Sequence, residues 1–228
     1  MLVVLDLTSI AYHRRLIEHV IKDVMMTEDD KKSASHKKKM ERQKASVDAS
    51  IAAAAEERGV CILLTGDGKG KTSSGFGMVM RALGYGHKVG VVQFIKGEQL
   101  SGEELWMQQH HPADDFYQMG TGFTWDTQNR SADIAAAERT WAVAERMLSD
   151  ASYNLVLLDE MTYMLAYKYL DEGMILDAVA RRPREMSVVM TGRGGGKALR
   201  ELCDTVSEVK DIKHAYKAGV KARKGVDY

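Results

Sequence analysis

The sequence predicts an α/β fold, a mostly parallel sheet flanked by helices in three layers. Three observations predict it. From Gly59 onward, short apolar runs alternate with helix-periodic stretches. The runs are almost continuously apolar, as strands covered on both faces are, and do not alternate with polar residues. Glycines gather where the runs end, at the edge of such a sheet where ligands bind. The 228 residues, 45% of them hydrophobic, suffice for one such domain with appendages.

The elements follow in chain order. Residues 1–24 read as a short strand and an amphipathic helix. Leu2–Leu5 is too short, and residues 10–22 too polar, for a signal peptide or membrane span, so cytoplasm is the expected compartment. Residues 25–38, MMTEDDKKSASHKK, are polar and read as a linker or disordered stretch. An Ala-, Lys-, Glu- and Arg-rich helix is predicted from about Met40 to Glu57, with Gly59 as its stop. The first core strand is Val60–Thr65, and a helix follows from about Lys71 to Leu83. Lys88–Ile95 is the second strand and Phe116–Met119 a shorter third. Ser131–Leu148 places Ala137, Trp141, Ala144 and Leu148 three and four apart, on one helical face. Tyr153–Leu158 is a strand ending in Asp159 and Glu160. Asp171–Arg181 is helical, Ser187–Thr191 a strand, Lys197–Leu202 a helix and Val206–Val209 the last strand. The tail, 211–228, is mixed and basic.

Charge and composition narrow the function classes. Lys plus Arg number 32 and so do Asp plus Glu, so net charge directs the chain toward neither nucleic acid nor membrane. Locally, residues 31–44 are strongly basic. The two cysteines, Cys61 and Cys203, have no metal spacing and form no disulfide framework. The seven histidines are scattered, which argues against a zinc site.

Between the first strand and its helix lies TGDGKGKTSSGFG, residues 65–77. A phosphate loop needs small residues whose amides converge on oxygens, a lysine for phosphate charge and a hydroxyl for Mg²⁺. Gly66, Gly68 and Gly70 supply the first, Lys71 the second and Thr72 the third, with Ser73 and Ser74 as spare hydroxyls. The context, strand before and helix after, is the one the motif requires. The spacing is unusual: three residues, not four, separate Gly66 from Gly70. The alternative is a glycine-rich turn that only tolerates left-handed backbone; read as a phosphate loop, the segment implies the three-layer, RecA-like fold of P-loop NTPases. YNLVLLDE, residues 153–160, is an apolar strand delivering carboxylates toward such a site. TGRGGG, residues 191–196, offers Arg193 to phosphate oxygens or, equally, to solvent. In MGTGFTWDTQNR, Phe123 and Trp125 either plug the core edge or wall a planar ligand.

Taken together, GDGKGKTSSGFG, VGVVQFIKG, TGFTWDTQNR and LVLLDEMTY, followed by TGRG and DTVSEVKDIKHAYKAGVKARKGVDY, resemble the ATP:corrinoid adenosyltransferases of the phosphate-loop type. The resemblance runs from near Met40 to Tyr228. It implies that the short loop is normal, usually GNGKGKT, with Asp67 here replacing Asn and Ser73 standing where Thr is frequent. It also implies that cobalt of a cob(I)alamin-type corrinoid attacks the 5′ carbon of ATP and that triphosphate leaves. Gly66 to Ser73, Lys69 and Lys71 among them, would then grip the triphosphate. Thr72 and Glu160 would hold Mg²⁺, or equally Mn²⁺, with Asp159, ranked after Glu160, joining the metal site through water or by contacts to the residues around it. Phe123 and Trp125 would displace the lower axial ligand of cobalt, and Arg193 would meet the nucleotide. The resemblance further implies a homodimer, a lid helix over residues 40–58 ending in EERG, a catalytic domain over 59–228, and a reducing protein such as a flavoprotein as partner. Residues 1–39 lie outside it, either as a true extension or through start-site choice, with Met25, Met26 and Met40 as later starts. Two rival readings share the loop. One is a P-loop ATPase or kinase, with Gln93 or Glu160 placing water or acceptor. The other is a non-catalytic binder of corrinoid or nucleotide.

Overall fold

The computed structural model describes residues 27–95, 100–111, 115–120 and 129–228. It divides into two units, residues 1–56 and 57–228. Among the described residues of the first, a helix, α1, spans Glu28–Ala53. It starts twelve residues before the expected Met40 and stops at Ala53, well short of Gly59. Its beginning is a capping box: Thr27 Oγ1 accepts from the Asp30 amide and the Asp30 carboxylate accepts from the Thr27 amide. Glu28, Asp29 and Asp30 sit in the first turn, where they complement the helix dipole. Composition read this stretch as a linker. The cap and the absence of Gly and Pro make it helical. None of the residues of α1 is buried.

The second unit is a six-stranded sheet in the order β3-β2-β4-β5-β1-β6, with every neighbouring pair parallel. The strands are β1 (Cys61–Thr65), β2 (Val89–Gln93), β3 (Phe116–Gln118), β4 (Leu155–Asp159), β5 (Ser187–Thr191) and β6 (Thr205–Glu208). Helices α2 (Lys71–Gly84), α3 (Gly102–His110), α4 (Arg130–Ser149), α5 (Thr162–Ala166), α6 (Glu172–Arg181) and α7 (Gly196–Leu202) connect them. Two of these, α3 and α5, have no counterpart in the sequence reading.

Strand alternation sorts the core into two layers. Leu64, Val91, Leu157 and Val189 face Phe76 and Val79 of α2. Their neighbours Leu63, Val92, Val156, Leu158, Val188 and Met190 face the opposite side, with Trp141 of α4 and Ile175 of α6. Every residue of β2 and β4 is buried, which is why those segments read as unbroken apolar runs. At the far edge, β6 is exposed throughout.

One polar cluster ties the start of β1 to the start of β6. Asp204 accepts from Arg58 Nη1 at 2.9 Å and Nη2 at 2.6 Å, and from the Cys61 amide at 2.8 Å. The bidentate Arg58 guanidinium, reinforced by the amide, holds the Asp204 carboxyl well below the usual carboxylate range. Arg58 belongs to the EERG segment, so its role here is to anchor the first strand of the sheet.

Candidate nucleotide and metal site

The order of the central strands assembles the site. β4, β5 and β1 lie side by side, so the segments leaving their carboxyl ends converge. Glu160 follows β4, Arg193 follows β5 and the glycine loop follows β1. These segments line one cavity of about 1120 Å³, together with Tyr163 and the carboxyl-terminal tail.

The loop ends in α2, whose N-cap is Gly70 with φ +123° and no side-chain cap. The amides of the first turn are therefore offered to a ligand, with the positive end of the helix dipole behind them. Lys71 is only 7% exposed. Its Nζ donates to the Gly68 carbonyl at 2.8 Å, curling back over the loop. Burial pushes the Lys71 ammonium below the ordinary lysine pKa, while Glu160 and Asp67 hold it up and Arg193 pushes further down. Thr72 and Ser73 stand in the first turn of α2, half-buried and exposed respectively, and both line the cavity.

Asp159 and Glu160 take different places. Asp159 is fully buried: its Oδ1 accepts from Thr191 Oγ1 at 2.7 Å and its Oδ2 from Gln93 Nε2 at 2.8 Å. Glu160 lines the cavity and has φ +57°, a left-handed conformation that non-glycine residues rarely adopt. Its amide donates to Thr191 Oγ1 at 2.9 Å. Asp67 is 79% exposed in its side chain, and its Oδ1 lies 3.9 Å from Nε of Arg193, itself 59% exposed. Such a pair between exposed groups contributes little stability. Phe123 and Trp125 lie outside the described residues.

Sequence reasoning missed the tail. Val209 O accepts from the Gly68 amide at 2.7 Å, and Asp227 Oδ1 pairs with Lys69 Nζ at 2.9 Å. His214, Tyr216 and Asp227 line the same cavity as the loop. The basic, mixed composition of 211–228 carried no period or motif that would have placed it there.

Thr72 and Glu160 are hard oxygen donors, suited to a small divalent cation that completes its shell with phosphate oxygens and water. No cluster of three or more His, Cys, Asp or Glu able to hold a metal exists among the described residues. A shared site, part protein and part substrate, is what this donor set fits.

Fold and site together define an α/β protein of the phosphate-loop class. Residues 57–228 match the family "ATP:corrinoid adenosyltransferase BtuR/CobO/CobP", and the chain belongs to that family. It is 50% identical over 193 residues to a corrinoid adenosyltransferase of Escherichia coli K12, covering 85% of this chain and 97% of that protein. A corrinoid adenosyltransferase of Pseudomonas aeruginosa is 49% identical over 203 residues, 89% of this chain and 100% of the other. One from Salmonella typhimurium is 48% identical over 193 residues, 85% and 97%.

Proposed function

We propose that the chain transfers the 5′-deoxyadenosyl group of ATP to the Co(I) centre of a corrinoid, releasing triphosphate, in cobalamin synthesis or salvage. The observation that carries this reading is the convergence of Lys71, the uncapped start of α2 and Glu160 on one cavity, in a chain about half identical to corrinoid adenosyltransferases.

The new Co–C bond forms as the C5′–O bond breaks, and the electron pair of that bond leaves on the triphosphate. Charge therefore grows on the leaving oxygens. Lys71 and the α2 amides are placed to stabilise it, and a nucleophile as strong as Co(I) needs no general base. Thr72 and Glu160 would hold Mg²⁺, or equally Mn²⁺, which would supply further positive charge to the triphosphate. Asp159 supports the site from within the core. Phe123 and Trp125 carry the role that the resemblance gives them, forming the apolar face that removes the lower axial ligand from cobalt. The protein works as a homodimer in the cytoplasm with a reducing partner, for which a flavoprotein is the fitting class. No helix of the described residues is long and apolar enough to cross a membrane.

Anaerobic mixing of the protein with MgATP and chemically reduced cob(I)alamin should yield adenosylcobalamin and intact triphosphate. Orthophosphate release without adenosyl transfer would overturn the reading in favour of an ATPase. The geometry removes one of that rival's two candidates, because Gln93 is fully buried with its Nε2 donated to Asp159, and leaves it Glu160 alone.

Two further results are expected. Trp125→Ala should cost more activity when the reaction starts from cob(II)alamin and a weak reductant than when cob(I) is supplied. Equal losses in both assays would remove the axial-ligand role. Asp67→Asn deletes a negative charge near Lys71 and releases Arg193. It should tighten MgATP binding by about two- to fivefold, the scale of one exposed charge pair. An unchanged dissociation constant in calorimetry would show that Asp67 does not act on phosphate.

A further inference from the structure

Glu160 is the only non-glycine residue with positive φ in the described part of the cavity wall, and something must hold it there. A left-handed backbone costs a non-glycine residue about 1–3 kcal/mol and persists only when its surroundings enforce it. The Thr191 hydroxyl, fully buried at the end of β5, is the group in position to do so. It accepts from the Glu160 amide at 2.9 Å and donates its single proton to Asp159 Oδ1 at 2.7 Å. Asp159 Oδ2 takes a second donor, Gln93 Nε2, from β2. Three neighbouring strands thus feed one chain of hydrogen bonds, Gln93 to Asp159 to Thr191 to the Glu160 backbone.

The chain has a fixed direction. Gln93 Nε2 and the Thr191 hydroxyl both donate into Asp159, so the remaining lone pairs of Thr191 Oγ1 face the Glu160 amide. Valine matches threonine in shape but provides neither function. Serine provides both. Asp159 and Thr191 are absent from the cavity wall, whereas Glu160 lines it. Their contribution to the site is therefore to fix where the Glu160 carboxylate stands.

We propose that Thr191 is a positioning residue for the metal site: its hydroxyl, oriented by Asp159, locks the left-handed turn that aims Glu160 at the cation on the triphosphate. This rests on the reading of Glu160 as a metal-holding residue. Hydrogen-bonded supports of metal ligands typically contribute about 10–100-fold in metal affinity.

The test is Mn²⁺ binding, followed by electron paramagnetic resonance, to the full-length protein with ATP present and no corrinoid. Thr191→Val should weaken Mn²⁺ by on the order of tenfold, and Thr191→Ser should restore binding to near the wild-type level. Thermal midpoints of the two variants show whether a general loss of structure accounts for the difference. Should Thr191→Val fail to fold, Thr191→Cys, which keeps only a weak donor and acceptor, takes its place and should bind Mn²⁺ more weakly than Thr191→Ser; affinity equal to that of Thr191→Ser would overturn the role of the hydroxyl. Wild-type Mn²⁺ affinity in Thr191→Val, with affinity lost in Glu160→Gln, overturns the positioning role and leaves Glu160 as the ligand. Wild-type affinity in both variants overturns the metal role of Glu160 and the proposal with it.

Discussion

Lys71→Met is expected to lower kcat/KM for adenosyl transfer by on the order of 10²–10³-fold, the usual effect of removing one preorganised charge-stabilising group. Methionine nearly keeps the length and volume of lysine, so the packing of a side chain that is 7% exposed is preserved. The loss is the ammonium. In the structure Nζ rests on the Gly68 carbonyl, so the charge is already inside the loop before any phosphate arrives. Removing that charged donor costs the fold about 1.5–3 kcal/mol, which a thermal midpoint measures separately from kcat/KM. The pH profile gives an independent check. Burial lowers the pKa of Lys71, so its cation persists below that depressed pKa and is lost as pH rises through it. The basic limb of kcat/KM should therefore lie below the ordinary lysine value of 10.5. Glu160 raises the pKa, so Glu160→Gln should move the limb lower still. A basic limb that is unmoved by Glu160→Gln would show that Lys71 does not set it.

The strands and the loop were readable because their physics is local. Val89–Gln93 and Leu155–Asp159 are buried on both faces, and that burial writes itself into the sequence as continuous apolar residues. The loop is a contiguous run whose residue types follow from gripping phosphate. Less local features were lost. In α1, a capping box at Thr27 and Asp30 outweighs a composition that resembles a linker. In α3, Ser101 caps a nine-residue helix that buries only Glu104 and Met107, too few to show a period. Asp159 and Glu160 are adjacent in sequence, yet one is core and the other cavity wall, because the chain turns left-handed at Glu160. The cap that causes the turn comes from Thr191 on a neighbouring strand, and no pattern around residue 160 announces it. The tail is the extreme case. One contact with the loop is a backbone bond, Gly68 to the Val209 that leads into the tail, which no side chain encodes, and the other, Lys69 to Asp227, joins residues far apart in the sequence.

That backbone bond explains what the middle glycine of the loop is for, and Gly68→Ala tests it. A Cβ at Gly68 would stand 2.7 Å from both the carbonyl carbon and oxygen of Lys210 and 2.8 Å from the Val209 oxygen. All three atoms are backbone, so no rotamer change makes room. Either the loop lifts or the segment after β6 moves away, and the Gly68 amide bond to Val209 at 2.7 Å is lost in both cases. Because loop and tail share the cavity, the displacement falls on the nucleotide. Overpacking of this kind costs about 1–3 kcal/mol. Borne by the bound state, that range corresponds to a rise in KM for ATP of roughly five- to 150-fold. Gly77→Ala is the control. It lies in α2 in the same motif, nothing stands within 4 Å of its added Cβ, and alanine favours the helix by about 1 kcal/mol. It should raise the melting temperature slightly and leave KM unchanged. Measuring KM for ATP at saturating corrinoid separates the two. A Gly68→Ala enzyme with wild-type KM would mean that the loop grips triphosphate independently of the tail, and that the close approach of Gly68 to Val209 and Lys210 serves only the fold.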